Sequence, residues 1–185
     1  MTRPDHEQNA GTDRSLSRAD IAALLTELGA RLDARGTRGD MFVVGGAAMA
    51  LAYNTRRLTA DVDGVFEPKM TVYAAAADIA ARHPGLPPDW LNDAVKGLLP
   101  GEDSGARVIL DVPGLTVNVA SPRYLLALKV QAARIDRDTD DILELAELCG
   151  ARTATDVLDI AAAIIGPGRL QPKAQFLVQE LFAGR

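Results

Sequence analysis

The chain is short of several things, and each shortage narrows what it can be. It has one cysteine, Cys149, so no internal disulfide can staple the fold. Its two histidines, His6 and His83, show no metal-ligand spacing. Aromatic residues make up only 4% of the chain, so the core must be built from Ala, Leu, Val and Ile. The same scarcity argues against a protein that grips single strands by stacking bases on aromatic rings. No apolar run approaches the roughly 20 residues a membrane-crossing helix needs, and no secretory leader is legible. The expected location is therefore the cytoplasm. There is also no excess of basic charge: the net charge is −5 and the pI about 5.0. A protein that holds long nucleic acid by its phosphates usually carries surplus Lys and Arg. If this chain meets nucleic acid, it meets a short end, through a local patch such as Arg56, Arg57, Arg134 and Arg137.

What is present suits one globular domain or a small domain with a helical appendage: 185 residues, 48% hydrophobic and 24% charged. Residues 1–15 are polar and mixed in charge and read as a disordered tail. Ser17 caps a helix from Arg18, in which Ile21, Leu24, Leu25, Leu28 and Leu32 recur at helical spacing until Gly36. Met41 to Val44 reads as a short buried strand, broken by Gly45-Gly46, with a small-residue helix over Ala47 to Tyr53. Residues 56–60 form a turn, and Asp61 to Phe66 a second strand. Thr71 to His83 is expected to be helical, followed by the Pro-rich link 84–88 and Trp90, read as a core anchor. Arg107 to Val112 and Leu115 to Ala120 read as a hairpin about Pro113-Gly114. Ser121-Pro122 is a cap followed by proline in the first turn, which opens a helix bearing Leu125, Leu126, Leu128 and Lys129. Further helices are expected at 138–149, 153–165 and 172–183. The fold class is α/β in the α+β sense, a small mixed sheet over 16–120 flanked by helices, then a helical bundle over 121–185.

Chemistry concentrates at Thr59-Ala60-Asp61-Val62-Asp63. Side chains alternate along a strand, so Asp61 and Asp63 face one way and Val62 the other. Two carboxylates on one face repel unless a cation joins them. Hard oxygen donors suit Mg²⁺ or Mn²⁺. A glycine turn entering a helix offers main-chain amides to phosphate. Either element alone is common in ordinary turns and surfaces; together, each behind a strand, they indicate a nucleotide–metal site.

The segment VVGGAAMALAYNTRRLTADVD, with LLALKVQAARIDRDTDDI downstream, resembles the minimal nucleotidyltransferases of the DNA polymerase β-like superfamily. Within it the chain is most similar to the AbiEii-type toxins and the related mycobacterial tRNA nucleotidyltransferase toxins. The likeness spans residues 40–150. The first motif matches at Gly45, Gly46, Asp61 and Asp63, with Thr59 at the Ser/Thr position of the toxin branch. The second matches at Lys129, Asp138 and Asp141. The resemblance implies that Asp61 and Asp63 hold two Mg²⁺ ions (Mn²⁺ being an alternative) and that Gly45 and Gly46 approach the β- and γ-phosphates. It implies that Lys129 neutralises the triphosphate, and that Asp138 or Asp141 positions Lys129 or the nucleotide. Arg57 and Thr59 are further nucleotide-contact candidates. A third metal carboxylate is commonly supplied from a neighbouring strand, and Asp111 is the candidate. The implied partners are an NTP, the 3′ end of tRNA or another RNA, and a cognate antitoxin that phosphorylates Thr59. Alternatives are an enzyme adding AMP to protein and an inactive NTP-binding module of the same fold. A sugar transferase using Asp-x-Asp would need a longer chain.

Two residues keep a second reading. Lys129 on an apolar helix face also suits a lysine snorkelling from the core edge. Asp138 also suits the charged first turn of a helix. Lys129 and Asp141 lie twelve residues apart, more than three turns of a continuous helix, and can meet only if the chain reverses between them.

Overall fold

A computed structural model describes residues 15–54, 56–166 and 168–184. Residues 1–14 of the expected tail, with His6, lie outside them. Ser17 is the N-cap of α1 (Arg18–Asp33): its hydroxyl accepts from the Asp20 amide while the Asp20 carboxylate accepts from the Ser17 amide. This reciprocal box satisfies two donors that a helix start otherwise leaves orphaned. The apolar stripe of α1, from Ile21 to Leu32, is buried as its spacing requires.

β1 (Gly39–Val43) runs into the glycine turn. α2 (Gly45–Ala48) follows and widens into a π-helical turn, Met49–Tyr53. β2 (Val62–Glu67) returns antiparallel to β1, pairing Val43 with Gly64 and Asp40 with Glu67. α3 (Lys69–Ala80) begins two residues earlier than its periodicity suggests, directly after Pro68. Trp90 is fully buried, and its indole N–H donates to the Ala76 carbonyl at 3.1 Å. The next two residues, Leu91–Asn92, form β3, a strand that the link's composition does not announce; it pairs parallel to β2, Asp63 opposite Asn92. A single 3₁₀ turn covers Lys96–Leu98. β4 (Arg107–Val112) and β5 (Leu115–Val119) make the expected hairpin, and β5 lies parallel to β1. The five-stranded mixed sheet has the order β3-β2-β1-β5-β4.

Alternation along the strands sorts the sheet into two faces. Met41, Val43, Val62, Phe66, Leu115, Val117 and Val119 are buried on one. There α1 and α3 pack on each other, α1 against β5 and α3 against β2. Gly29 lets α1 come close to the hairpin, since a β-carbon there would meet Val112 Cγ2 at 2.7 Å. The opposite residues, including Phe42, Asp63, Val65 and Asn118, are only half-buried.

The C-terminal part is helical: α4 (Pro122–Ala132), α5 (Ile135–Leu148), α6 (Ala154–Ile165) and α7 (Pro172–Phe182). α4 starts where Ser121-Pro122 dictates, with the Ser121 hydroxyl accepting from the Tyr124 amide at 3.2 Å. α4 packs on α5 and α6 and carries the bundle onto the sheet, where the Tyr124 ring meets Phe42 edge-on at 5.7 Å. α5 begins three residues before its expected start. Cys149 caps its end half-buried, packed against the core, and burial pushes its thiol pKa up. No helix among the described residues is long and apolar enough to cross a membrane.

Candidate active site

The glycine turn and the aspartate strand are pressed together. Gly45 has φ +64°, a left-handed conformation that favours glycine. A β-carbon on Gly45 would lie 3.3 Å from Asp63 Oδ2, and one on Gly46 only 2.6 Å from Thr59 Oγ1. The two glycines therefore let the start of α2 rest directly against residues 59 and 63. The backbone closes the same contact, with the Val44 amide donating to the Asp63 carbonyl at 3.0 Å.

Asp61 and Asp63 flank Asn92. The Asn92 Nδ2 donates to Asp61 Oδ2 at 3.2 Å, and Asn92 sits opposite Asp63 in the β2–β3 register. Val62 between them is fully buried. Among the described residues neither carboxylate has a cation within ion-pair distance. Burial pushes the Asp63 pKa above the ordinary carboxylate value, the neighbouring Asp61 charge adds to it, and Asn92, Arg134 and Lys129 oppose it. Two hard, mutually repelling oxygen donors without a protein counter-ion fit a divalent cation. Among the described residues no cluster of three metal-ligating side chains forms. A site of two carboxylates suits Mg²⁺, which keeps several waters and takes further oxygens from substrate phosphate.

Thr59 is held from both ends. Its hydroxyl donates to the Asp61 carbonyl at 3.2 Å. Its backbone forms an isolated antiparallel bridge to Leu16, which is fully buried just before α1.

The second motif assembles through a reversal at Ala133. This residue adopts φ 46°, ψ 49°, ending α4, and α5 starts two residues later. The reversal brings Lys129 Nζ to 2.6 Å from Asp138 Oδ1 and 2.8 Å from Asp141 Oδ2. Asp138, the fourth residue of α5, lies at the end of its first turn and accepts a bond from Lys129; the helix cap is Arg134. Arg57 turns inward, its Nη2 3.0 Å from Asp141 Oδ2, and Asn54 donates to Glu144 at 2.8 Å. The loop before the aspartates is thus anchored to α5.

Between the two motifs lies a cavity of about 330 Å³. Gly45, Asp63, Lys129, Arg134 and Asp138 line it, with an apolar wall from the turn over residues 95–99 and from α4.

Gly46, Thr59, Asp61, Asp141 and Arg57 do not line this cavity themselves; Arg57 and Asp141 belong to the ion cluster with Lys129. Asp111 is not a third carboxylate of the pair. It sits on the outer strand β4, exposed, bonded to Arg38 and Thr116. Its row runs through Thr116 and Asp40 to Glu67, four residues from Asp63 and three strands away. That is about 13 Å along the strands and about 14 Å across them. The hairpin's register alone places it there. In the other direction, Asn92 is a feature the sequence did not disclose, and Arg134, which the sequence offered only as part of a basic patch, lines the cavity. Asn92 depends on the long-range pairing of β3, and Arg134 on the Ala133 reversal.

No family model matches the chain, and no curated protein matches it. Among solved structures it is similar to an antigenic nucleotidyltransferase-like protein from Paracoccidioides brasiliensis, at 16% identity over 93% of this chain and 91% of that one, with a TM-score of 0.42. A likeness so distant leaves the site to be argued from its own residues.

Proposed function

We propose that the protein is a nucleotidyltransferase that moves a nucleotide from an NTP to an acceptor hydroxyl. The observation that carries this reading is a cavity lined by Gly45 and Asp63 together with Lys129 and Arg134, while Asp61 is tied to the same spot by Asn92, which pairs with Asp63.

Asp61 and Asp63 would hold Mg²⁺, or Mn²⁺ in its place. When bound, two such ions supply counter-charge to the triphosphate and acidity to the attacking hydroxyl. Asn92 fixes the Asp61 carboxylate by its amide hydrogen bond. The glycine turn brings main-chain N–H groups next to Asp63, where a β- or γ-phosphate oxygen can accept from them. The apolar wall keeps water from one side of the nucleotide. In the reaction the acceptor oxygen bonds to the α-phosphorus, the bond to the bridging oxygen breaks, and pyrophosphate leaves.

The acceptor we favour is the 3′ end of tRNA, with growth arrest as the outcome and a cognate antitoxin as the partner. The sequence resemblance supports this. At net charge −5 the protein is unsuited to holding long RNA, so a short end presented at the metal site fits it better.

The test is incubation of the protein with each α-labelled NTP, Mg²⁺ and total RNA, read on a gel. Label in a tRNA-sized band, lost with Asp61→Ala, is the expected result. Label in protein would indicate the AMP-adding alternative, and tight Mg–NTP binding without turnover an inactive module. Asp61→Ala activity within a few-fold of wild type would overturn the assignment.

A further inference from the structure

The cavity beside Asp63 is lined by two cations, Lys129 and Arg134, and their surroundings differ sharply. The Lys129 ammonium is already spent. Its side chain is 13% exposed and lies within 2.8 Å of two carboxylates, Asp138 and Asp141, themselves 6% and 2% exposed. Arg57 adds a second cation to Asp141. Two cations and two carboxylates sum to zero, so the cluster presents no net charge to a phosphate. Drawing the ammonium onto a ligand would strand buried carboxylates, which is costly.

Arg134 is the opposite case. It is the N-cap of α5, thrown to the cavity edge by the reversal at Ala133. It is exposed, and among the described residues no carboxylate pairs with it. It shares that cavity with Asp63. A guanidinium offers a planar fork of donors that matches phosphate oxygens two at a time.

Resting on the nucleotidyltransferase reading, we infer that Arg134, rather than Lys129, is the side chain that receives the triphosphate. Lys129 is then a structural residue: it ties α4 to α5 through Asp138 and Asp141. The assignment separates two jobs that the second motif otherwise lays on one lysine.

Calorimetric titration of the full chain with each of the four Mg–NTPs, and with Mg–tripolyphosphate, tests it. Arg134→Gln should bind about ten- to hundredfold more weakly, as loss of a hydrogen bond to a charged group implies. The melting temperature should stay unchanged. The factor should be the same for tripolyphosphate as for the nucleotides, since the contact is to phosphate. Arg134→Lys should recover part of the loss. Lys129→Gln should melt lower, yet below its transition bind within about threefold of wild type. The inference falls if Arg134→Gln binds like wild type, or if Lys129→Gln alone loses affinity at an unchanged melting temperature. The Arg134 variants decide it even where Lys129→Gln does not fold. If the wild type binds no Mg–NTP, the parent reading fails first and takes this one with it.

Discussion

Gly46 and Thr59 occupy one another's space: the β-carbon that any other residue would place at 46 falls 2.6 Å from Thr59 Oγ1 and 3.1 Å from Thr59 Cβ. Gly46→Ala should therefore force the aspartate loop outward and cost about 1–3 kcal/mol, the usual range for overpacking. Thr59→Gly removes both clashing atoms. In a double-mutant cycle by chemical denaturation the pair should couple strongly, with Gly46→Ala far less harmful beside Thr59→Gly. Additive effects would show that the contact is not the reason for the glycine.

The aspartate pair makes a prediction that needs no turnover. A ligand that binds only the folded state raises the melting temperature by mass action. Millimolar Mg²⁺ should raise it for the wild type, more so with an NTP present. Asp61→Asn and Asp63→Asn should abolish the metal-dependent part while the apo proteins keep their helical circular dichroism. A metal-dependent shift that survives both substitutions would place the ion elsewhere.

Asp141 is the hub of the second motif, facing both Lys129 and Arg57 while 2% exposed. Removing one member of a buried ion network leaves its partners uncompensated, typically at about 3–5 kcal/mol. Asp141→Asn should lose about that much in urea unfolding. Because Asp141 anchors the loop that leads to Thr59 and Asp61, the same variant should also loosen the first motif. Faster amide exchange over residues 57–61 would report this.

The legible parts of the fold were those written in local chemistry. Ser17 with Asp20, and Ser121 with Pro122, named two helix starts, and alternation about Pro113-Gly114 named a hairpin. The Asp61/Asp63 face and the Gly45-Gly46 turn could be read because strand alternation and glycine conformation are local too. What stayed hidden was set by partners remote in sequence. Asp111 looked available until the sheet paired it with Arg38, 73 residues away. Arg57, a nucleotide-contact candidate in the sequence, is instead paired with Asp141. The meeting of Lys129 with Asp141 turned on a left-handed alanine at 133, a conformation that alanine gives no signal for. Leu91–Asn92 is a strand only because β2 lies beside it.

Ser121 offers a check on α4, which carries Lys129. Its hydroxyl accepts from the Tyr124 amide and donates to Asp103, whose other oxygen accepts from the Ser121 amide. Ser121→Ala should cost about 1 kcal/mol, the usual worth of an N-cap. Thermal unfolding followed by circular dichroism measures it, and no change would mean Asp103 alone suffices.

An acid-side effect is expected at Glu27. Its hydrogen bond to Arg31, aided by one to His83, holds its carboxyl below the ordinary value of 4.5, although burial opposes this. A lowered carboxylate stabilises the fold above its unfolded pKa and loses that contribution as pH falls through the folded value. Comparing Glu27→Gln with wild type, the gap in melting temperature should be present near pH 6 and close progressively below about pH 4.5. A gap that is constant with pH would point to packing rather than charge.

The bridge between Leu16 and Thr59 ties the segment ahead of the first helix to the backbone two residues from Asp61. Leu16 acts as a tether, so trimming the chain past it, or fusing a bulky tag directly against it, would free the acidic loop. A metal-dependent gain in melting temperature lost on such trimming would then report a slackened hinge beside Asp61, not a missing ligand.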